Sequence, residues 1–166
     1  MAEQQVVDWA GSGRPGVRAG AAPEMAVRMT GALLALAIAA VHVADQGGIS
    51  GFAAPGWIGW GYRLIEVGGV LTAALLLIPW SAWLGWAASL LLGVGPFIGY
   101  VASRSIGVPG DHGDVGDWGY WAGTVSLVIE AALIVLGVTM LMAYRQRARH
   151  PLVVGRLGQL AKPGSS

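Results

Sequence analysis

The sequence predicts an all-α fold: a bundle of four antiparallel transmembrane helices with both termini in the cytoplasm. Three observations predict it. Hydrophobic residues make up 55% of the 166 residues and charged residues 11%, against roughly 25% charged in an ordinary soluble domain. The apolar residues gather into four blocks, each near the ~20 residues that cross the hydrocarbon core of a bilayer. Eight of the ten basic residues lie in the two tails or at the opening of the first block, which is the positive-inside pattern.

Residues 1–24 contain Gly, Pro and Arg with little periodicity and read as a flexible cytoplasmic tail, in which Val6, Val7 and Trp9 are available to a membrane surface. Pro23 and Glu24 form a helix start, and the first span covers about 25–44. Ala37-Ile38-Ala39 mimics a signal-peptidase site, but the leader would be long and three spans follow, so a retained helix is expected. Residues 45–59 form a Gly-rich outer loop, with Ile49, Phe52 and Trp57 predicting a partly re-entrant segment. The second span covers about 60–78, Pro79-Trp80-Ser81 makes a tight turn, and the third span covers about 82–102. Gly95-Pro96-x-x-Gly99 within it is read as a packing or kink element. The fourth span, about 118–144, is longer than a bilayer requires and should tilt or protrude. A basic cytoplasmic tail, 145–166, follows.

Arg14, Arg18 and Arg28 precede or open the first span, and Arg145, Arg147, Arg149, Arg156 and Lys162 follow the fourth; only Arg63 and Arg104 lie near the other side. Trp57, Trp60, Trp118 and Trp121 should line the outer interface and Trp80, Trp83 and Trp86 the inner one, the two depths that amphipathic rings prefer. A multi-pass protein of the bacterial plasma membrane is the expected setting, with the lipid bilayer and other membrane subunits or further copies of the chain as partners, and no nucleic acid.

Polar residues are distributed unevenly. The outer half collects His42, Asp45, Arg63, Glu66, Arg104, Asp111, His112, Asp114 and Asp117. Glu130 lies about halfway along the fourth span, where a charge costs at least ~2.5 kcal/mol, so it should face the bundle or a cavity. The carboxyl is expected to be neutral there, hydrogen-bonded to Ser126 one turn away or to Thr72, or else to handle a proton or cation. Glu66 has Arg63 three residues before it on the same face, with Arg104 as a second possible partner, and Gly68 and Gly69 allow another helix to approach it. Glu130, Glu66, Arg63 and Arg104 are thus the candidate intramembrane polar or ion-handling set. His42, Asp45, Asp111, His112 and Asp114 are a candidate divalent-metal set of imidazoles and carboxylates, although D-H-x-D is not a ligand motif. His42 alone is available within the spans as a haem ligand, so a bis-His haem in one chain is not expected.

The chain has no cysteine, which excludes disulfides, thiolate ligands, Fe–S clusters and thiol catalysis, and with them the quinone-linked disulfide-forming four-helix enzymes. No phosphate-cradling loop, nucleophile elbow or zinc-protease signature occurs, so no catalytic residue is assigned. Tyr100, Ser103-Arg104-Ser105, Gly107, Pro109-Gly110, Trp118, Ser126-Leu127 and Glu130 form a pattern over about the C-terminal third that resembles small four-helix integral membrane proteins of high-GC bacteria. That resemblance implies a fold and a compartment and supplies no activity. The function expected from the residues is a non-enzymatic accessory subunit or binding protein with an extracytoplasmic polar site. The alternatives are a small proton- or cation-coupled transporter built on Glu130 and Glu66, and a metal-dependent membrane enzyme.

Overall fold

The computed structural model describes residues 21–53 and 55–160 and is all-helical. Helix α1 covers Ala21–Asp45, α2 Gly56–Leu77, α3 Ala82–Ser105 and α4 Trp121–Leu160, with a single 3-10 turn at Pro79–Ser81 between α2 and α3. All four helices are long and apolar enough to cross a membrane. Helix α1 packs on α2 and α4, α3 packs on α4 and α2, and the diagonal pair α1–α3 barely touches. The tail with Val6, Val7 and Trp9 lies outside the described residues.

Several boundaries move from the sequence expectation, for local reasons. Helix α2 begins one turn earlier than expected because Pro55, at φ −66° and ψ 160°, stands as its N-cap in the extended conformation, a position where a missing N–H costs nothing. Trp57 therefore belongs to α2 rather than to a re-entrant segment, Phe52 packs edge-on to Trp60 at 5.9 Å, and Ile49 is exposed. Helix α4 begins three residues later than expected. Its first turn opens on the Tyr120 carbonyl, which accepts from the Thr124 N–H at 3.1 Å and the Thr124 hydroxyl at 3.2 Å. At its other end α4 runs on through the basic residues to Leu160, so the segment after 144 continues the fourth helix.

The core is small: Ala32, Ala35, Ile38, Ala73, Leu76, Trp86, Leu92 and Leu133. Trp86, expected at the inner interface, is instead 0% exposed and packed in this core, whereas Trp80 is 80% exposed. The close contacts run through glycine, as expected where lipid offers no hydrophobic drive for helix association. A Cβ at Gly69 would stand 2.7 Å from the Ala35 carbonyl oxygen, at Gly85 2.8 Å from the Leu76 nitrogen, and at Gly93 2.7 Å from Ile134. The turn after α2 is held by Ser81, whose hydroxyl donates to the Leu75 carbonyl at 3.0 Å, and by the buried Arg28, whose Nε donates to the Leu76 carbonyl at 2.6 Å.

Toward the opposite end α2 and α3 part, while α4 stays close to α3, Gly123 lying against the Tyr100 ring. A Cβ at Gly61, Gly95 or Gly99 would meet nothing within 4 Å. The Gly95-Pro96-x-x-Gly99 stretch is thus not the packing seam the sequence predicts; it faces open space, while α3 continues through Pro96. Gly69→Val should destabilise the protein by about 1–3 kcal/mol, because the obstructing atom is backbone and has nowhere to go. Gly95→Ala should stay within about 0.5 kcal/mol of the parent. Unfolding titrations in mixed detergent micelles measure both, and equal losses at the two positions would show that the separation of α2 from α3 is misplaced.

Candidate functional site: a polar-mouthed cavity ending at Glu130

The parting of α2 from α3 leaves a cavity of about 1040 Å³. Its walls are apolar over most of their depth, with Ile65, Leu75, Leu92 and Ala122 among them, and its polar groups occupy two levels.

The upper level lies where α1 and α3 end and α2 and α4 begin. Asp45, the last residue of α1, accepts from the Tyr62 hydroxyl of α2 at 2.5 Å and from the Tyr120 hydroxyl, just before α4, also at 2.5 Å. The Tyr120 hydroxyl is held above the ordinary tyrosine range, first because ionisation would forfeit its hydrogen bond to Asp45, then through burial and the Asp45 charge. Arg104, at the end of α3, is buried; it pairs with Asp114, and its guanidinium lies over the rings of Tyr100 at 5.0 Å and Tyr120 at 5.8 Å. Its backbone carbonyl also accepts from the Gly116 N–H at 2.9 Å.

These contacts fasten the α3–α4 connection over the cavity mouth. Within that connection Val108 and Asp111 exchange both backbone hydrogen bonds at 2.9 Å around Pro109 and Gly110, the latter at φ 83°, a conformation that suits glycine. The Trp57 indole N–H donates to the Pro109 carbonyl at 3.0 Å, tying the turn to α2.

Glu66 lies outside the cavity lining and is saturated. It accepts from Arg63 Nη1 at 2.6 Å and from the Gln46 amide, while Arg63 Nη2 donates to the carbonyls of Ile49 and Gly51 at 2.7 and 2.5 Å. The local Arg63–Glu66 pair is the one the spacing anticipates; Arg104 serves Asp114 and not Glu66.

The lower level is Glu130. It is 1% exposed, yet it lines the cavity together with Ser126 and Thr72. Glu130 Oε1 accepts from the Ser126 hydroxyl at 2.5 Å, the first of the two partners expected. Its Oε2 is buried with no hydrogen-bond partner among the described residues. Thr72 lines the same space without bonding it.

The candidate metal set is not assembled. Among the described residues no three His, Asp or Glu side chains group so as to hold a metal ion. His42 turns its Nδ1 to the Ile38 carbonyl at 2.9 Å and packs on the Tyr62 ring at 5.3 Å. Asp45 is occupied by the two tyrosines and Asp114 by Arg104. Asp111 accepts from the Gly113 N–H at 3.2 Å, and the exposed His112 packs across Gly107. Each candidate ligand is thus engaged within its own element or by a non-ligand, which keeps the five apart.

Sequence reasoning missed Tyr62 and Tyr120, and named Tyr100 only as part of the resemblance pattern. Tyrosines near span ends read as interfacial residues, and their inward direction is set by helix rotation. The one usable sign was Tyr62 four residues before Glu66, which puts it on an inward face. Comparison with protein-family models, with curated proteins and with solved structures finds no match to this chain.

In a Tyr62→Phe background, Asp45→Asn should lower the pH at which Tyr120 ionises, toward that of free tyrosine, since the anionic acceptor that favours the protonated hydroxyl is removed. Ultraviolet difference titration reads it; an unmoved curve would show that Asp45 does not hold Tyr120.

Proposed function

We propose that this chain is a small, non-enzymatic integral membrane binding protein of the plasma membrane. Its four antiparallel spans place both termini in the cytoplasm and the polar-mouthed cavity on the extracytoplasmic side. The cavity receives a small molecule, and the chain serves alone, as a homo-oligomer or as an accessory subunit of a larger membrane assembly. One observation carries this reading: a cavity of about 1040 Å³ whose deep end bears a buried carboxyl oxygen without a partner. Ligand sites are typically concave, mostly apolar and provided with a few convergent polar groups, and this space has that constitution. The sidedness rests on the eight basic residues at the chain's two ends.

A second reading, proton- or cation-coupled transport, is favoured by the same Glu130 oxygen, because an intramembrane carboxyl facing a cavity can exchange a proton or cation. It would run on Glu130 without Glu66, whose oxygens are engaged by Arg63 and Gln46. Transport by reconstituted liposomes should then cease in Glu130→Gln; full transport by that variant rejects the carboxylate mechanism. The metal-dependent enzyme has no assembled ligand set among the described residues to support it.

The cysteine-free sequence makes the binding reading directly testable. Ser126→Cys and Ser89→Cys are near-isosteric; Ser126 lines the cavity and Ser89 is fully buried away from it. Membrane-impermeant thiol reagents added outside intact cells should label Ser126→Cys about tenfold faster or more, corresponding to about 1.4 kcal/mol. Equal rates, or labelling only from the cytoplasmic side, would overturn an externally accessible cavity.

A further inference from the structure

We propose that the ligand of this cavity is a lipophilic organic cation, an amine or quaternary onium with an apolar body; the assignment rests on the binding reading above. Five carboxyl groups line the space, Asp45, Asp111, Asp114, Asp117 and Glu130, against one guanidinium, Arg104. With the four aspartates counted as ionised and the buried Glu130 as neutral, that is an excess of three negative charges, and Arg104 is itself paired with Asp114. A low-dielectric cleft with one sign of charge at its mouth concentrates ligands of the other sign.

The independent observation is Glu130 Oε2, buried and unpartnered at the deep end. A buried carboxyl without a counter-charge stays protonated, and no basic side chain pairs with Glu130 among the described residues. A ligand carrying positive charge supplies the missing partner.

The intervening walls define the rest of the molecule. Leu64, Leu71 and Leu91 of α2 and α3 line the cavity and are strongly exposed. The cleft is therefore open sideways, and an apolar body can reach it from the hydrocarbon. A hard metal ion is disfavoured by the same geometry, since among the described residues no three ligating side chains converge.

The test uses two probes of one shape and opposite charge, tetraphenylphosphonium and tetraphenylborate, with equilibrium dialysis of the full chain in mild detergent. The phosphonium should bind saturably and at least about tenfold more tightly than the borate. Glu130→Gln should weaken the phosphonium about tenfold or more and leave the borate unchanged. Asp117→Asn, on an exposed loop residue and so without a folding cost, should weaken the phosphonium about two- to threefold, as expected for one screened charge at the mouth. Should Glu130→Gln fail to fold, Asp117→Asn combined with Asp111→Asn carries the comparison, and phosphonium affinity unmoved by it overturns the assignment. Borate binding as tightly as phosphonium overturns the cation and leaves the cavity reading intact. Neither probe binding, while Ser126→Cys remains reactive from outside, does the same.

Discussion

Close helix approach through glycine is the constraint on which the rest of this structure depends. Lipid tails are as apolar as leucine, so helices in a bilayer associate by packing and hydrogen bonding and not by escape from water. At the end of the bundle holding the α2–α3 turn, Gly85 lies against Leu76 and Gly31 against the Trp86 ring; nearer the middle, Gly69 lies against the α1 backbone and Gly93 against Ile134. Past that clamp the same residue type does the opposite. Gly61, Gly95 and Gly99 have no neighbour within 4 Å of a would-be Cβ, so α2 and α3 separate and the space between them becomes the cavity. A hairpin tight at its turn and open at its tips needs no special element; it needs glycines whose neighbours stop at one level.

The open tips are held at a fixed spacing by polar contacts. Asp45 bridges α1 to α2 and to the start of α4 through two tyrosine hydroxyls, and Arg104 fastens the end of α3 to the connection that follows it. Hydrogen bonds to charged groups are stronger than neutral ones, and here those of Asp45 fix the ends of helices that also pack on one another, α1 on α2 and on α4. The polar residues at this end thus act as struts. The same contacts explain why the histidines and carboxylates do not converge: Asp45 is held by two tyrosines and Asp114 by Arg104, His42 and Asp111 bond within their own segments, and a shared metal would require withdrawing several of them at once.

The four spans and the Arg63–Glu66 and Ser126–Glu130 contacts were legible because each follows from hydropathy or from helical spacing, which the sequence carries locally. Trp86 was not. Its place one turn from Trp83 and two from Trp80 reads as an interfacial belt, but the belt assignment fixes depth, whereas rotation about the helix axis decides between lipid and core. The same gap hid Tyr62 and Tyr120, and it made Gly95 and Gly99 look like a seam. Small residues permit close approach without requiring it. The metal set failed for a related reason: five ligand-type residues near one end establish proximity in depth only, and side-chain direction depends on partners such as Tyr120 that lie 75 positions away in the chain.

Glu130 is best weighed against the other buried groups with an unpartnered polar atom. Arg28 Nη2, Gln46 Oε1, Trp86 Nε1 and Arg104 Nε are also without hydrogen-bond partners among the described residues. Arg28, however, already donates through Nε to Leu76, the Gln46 amide donates to Glu66, and the Trp86 ring fills the core against Gly31; none of these three lines the cavity, and Arg104, which does, is held by Asp114 and lies over two tyrosine rings. An orphaned donor beside a residue that earns its place by packing has a structural explanation. Glu130 has none of comparable strength. Its one internal partner, Ser126, lies on its own helix, so their hydrogen bond joins no two elements, and Thr72 shares the same space without bonding to it. If the carboxyl served packing alone, an apolar side chain of similar volume would fill the site without the cost of burying an ionisable group. What distinguishes Glu130 is room: its free oxygen adjoins a space large enough to admit a partner from outside the chain.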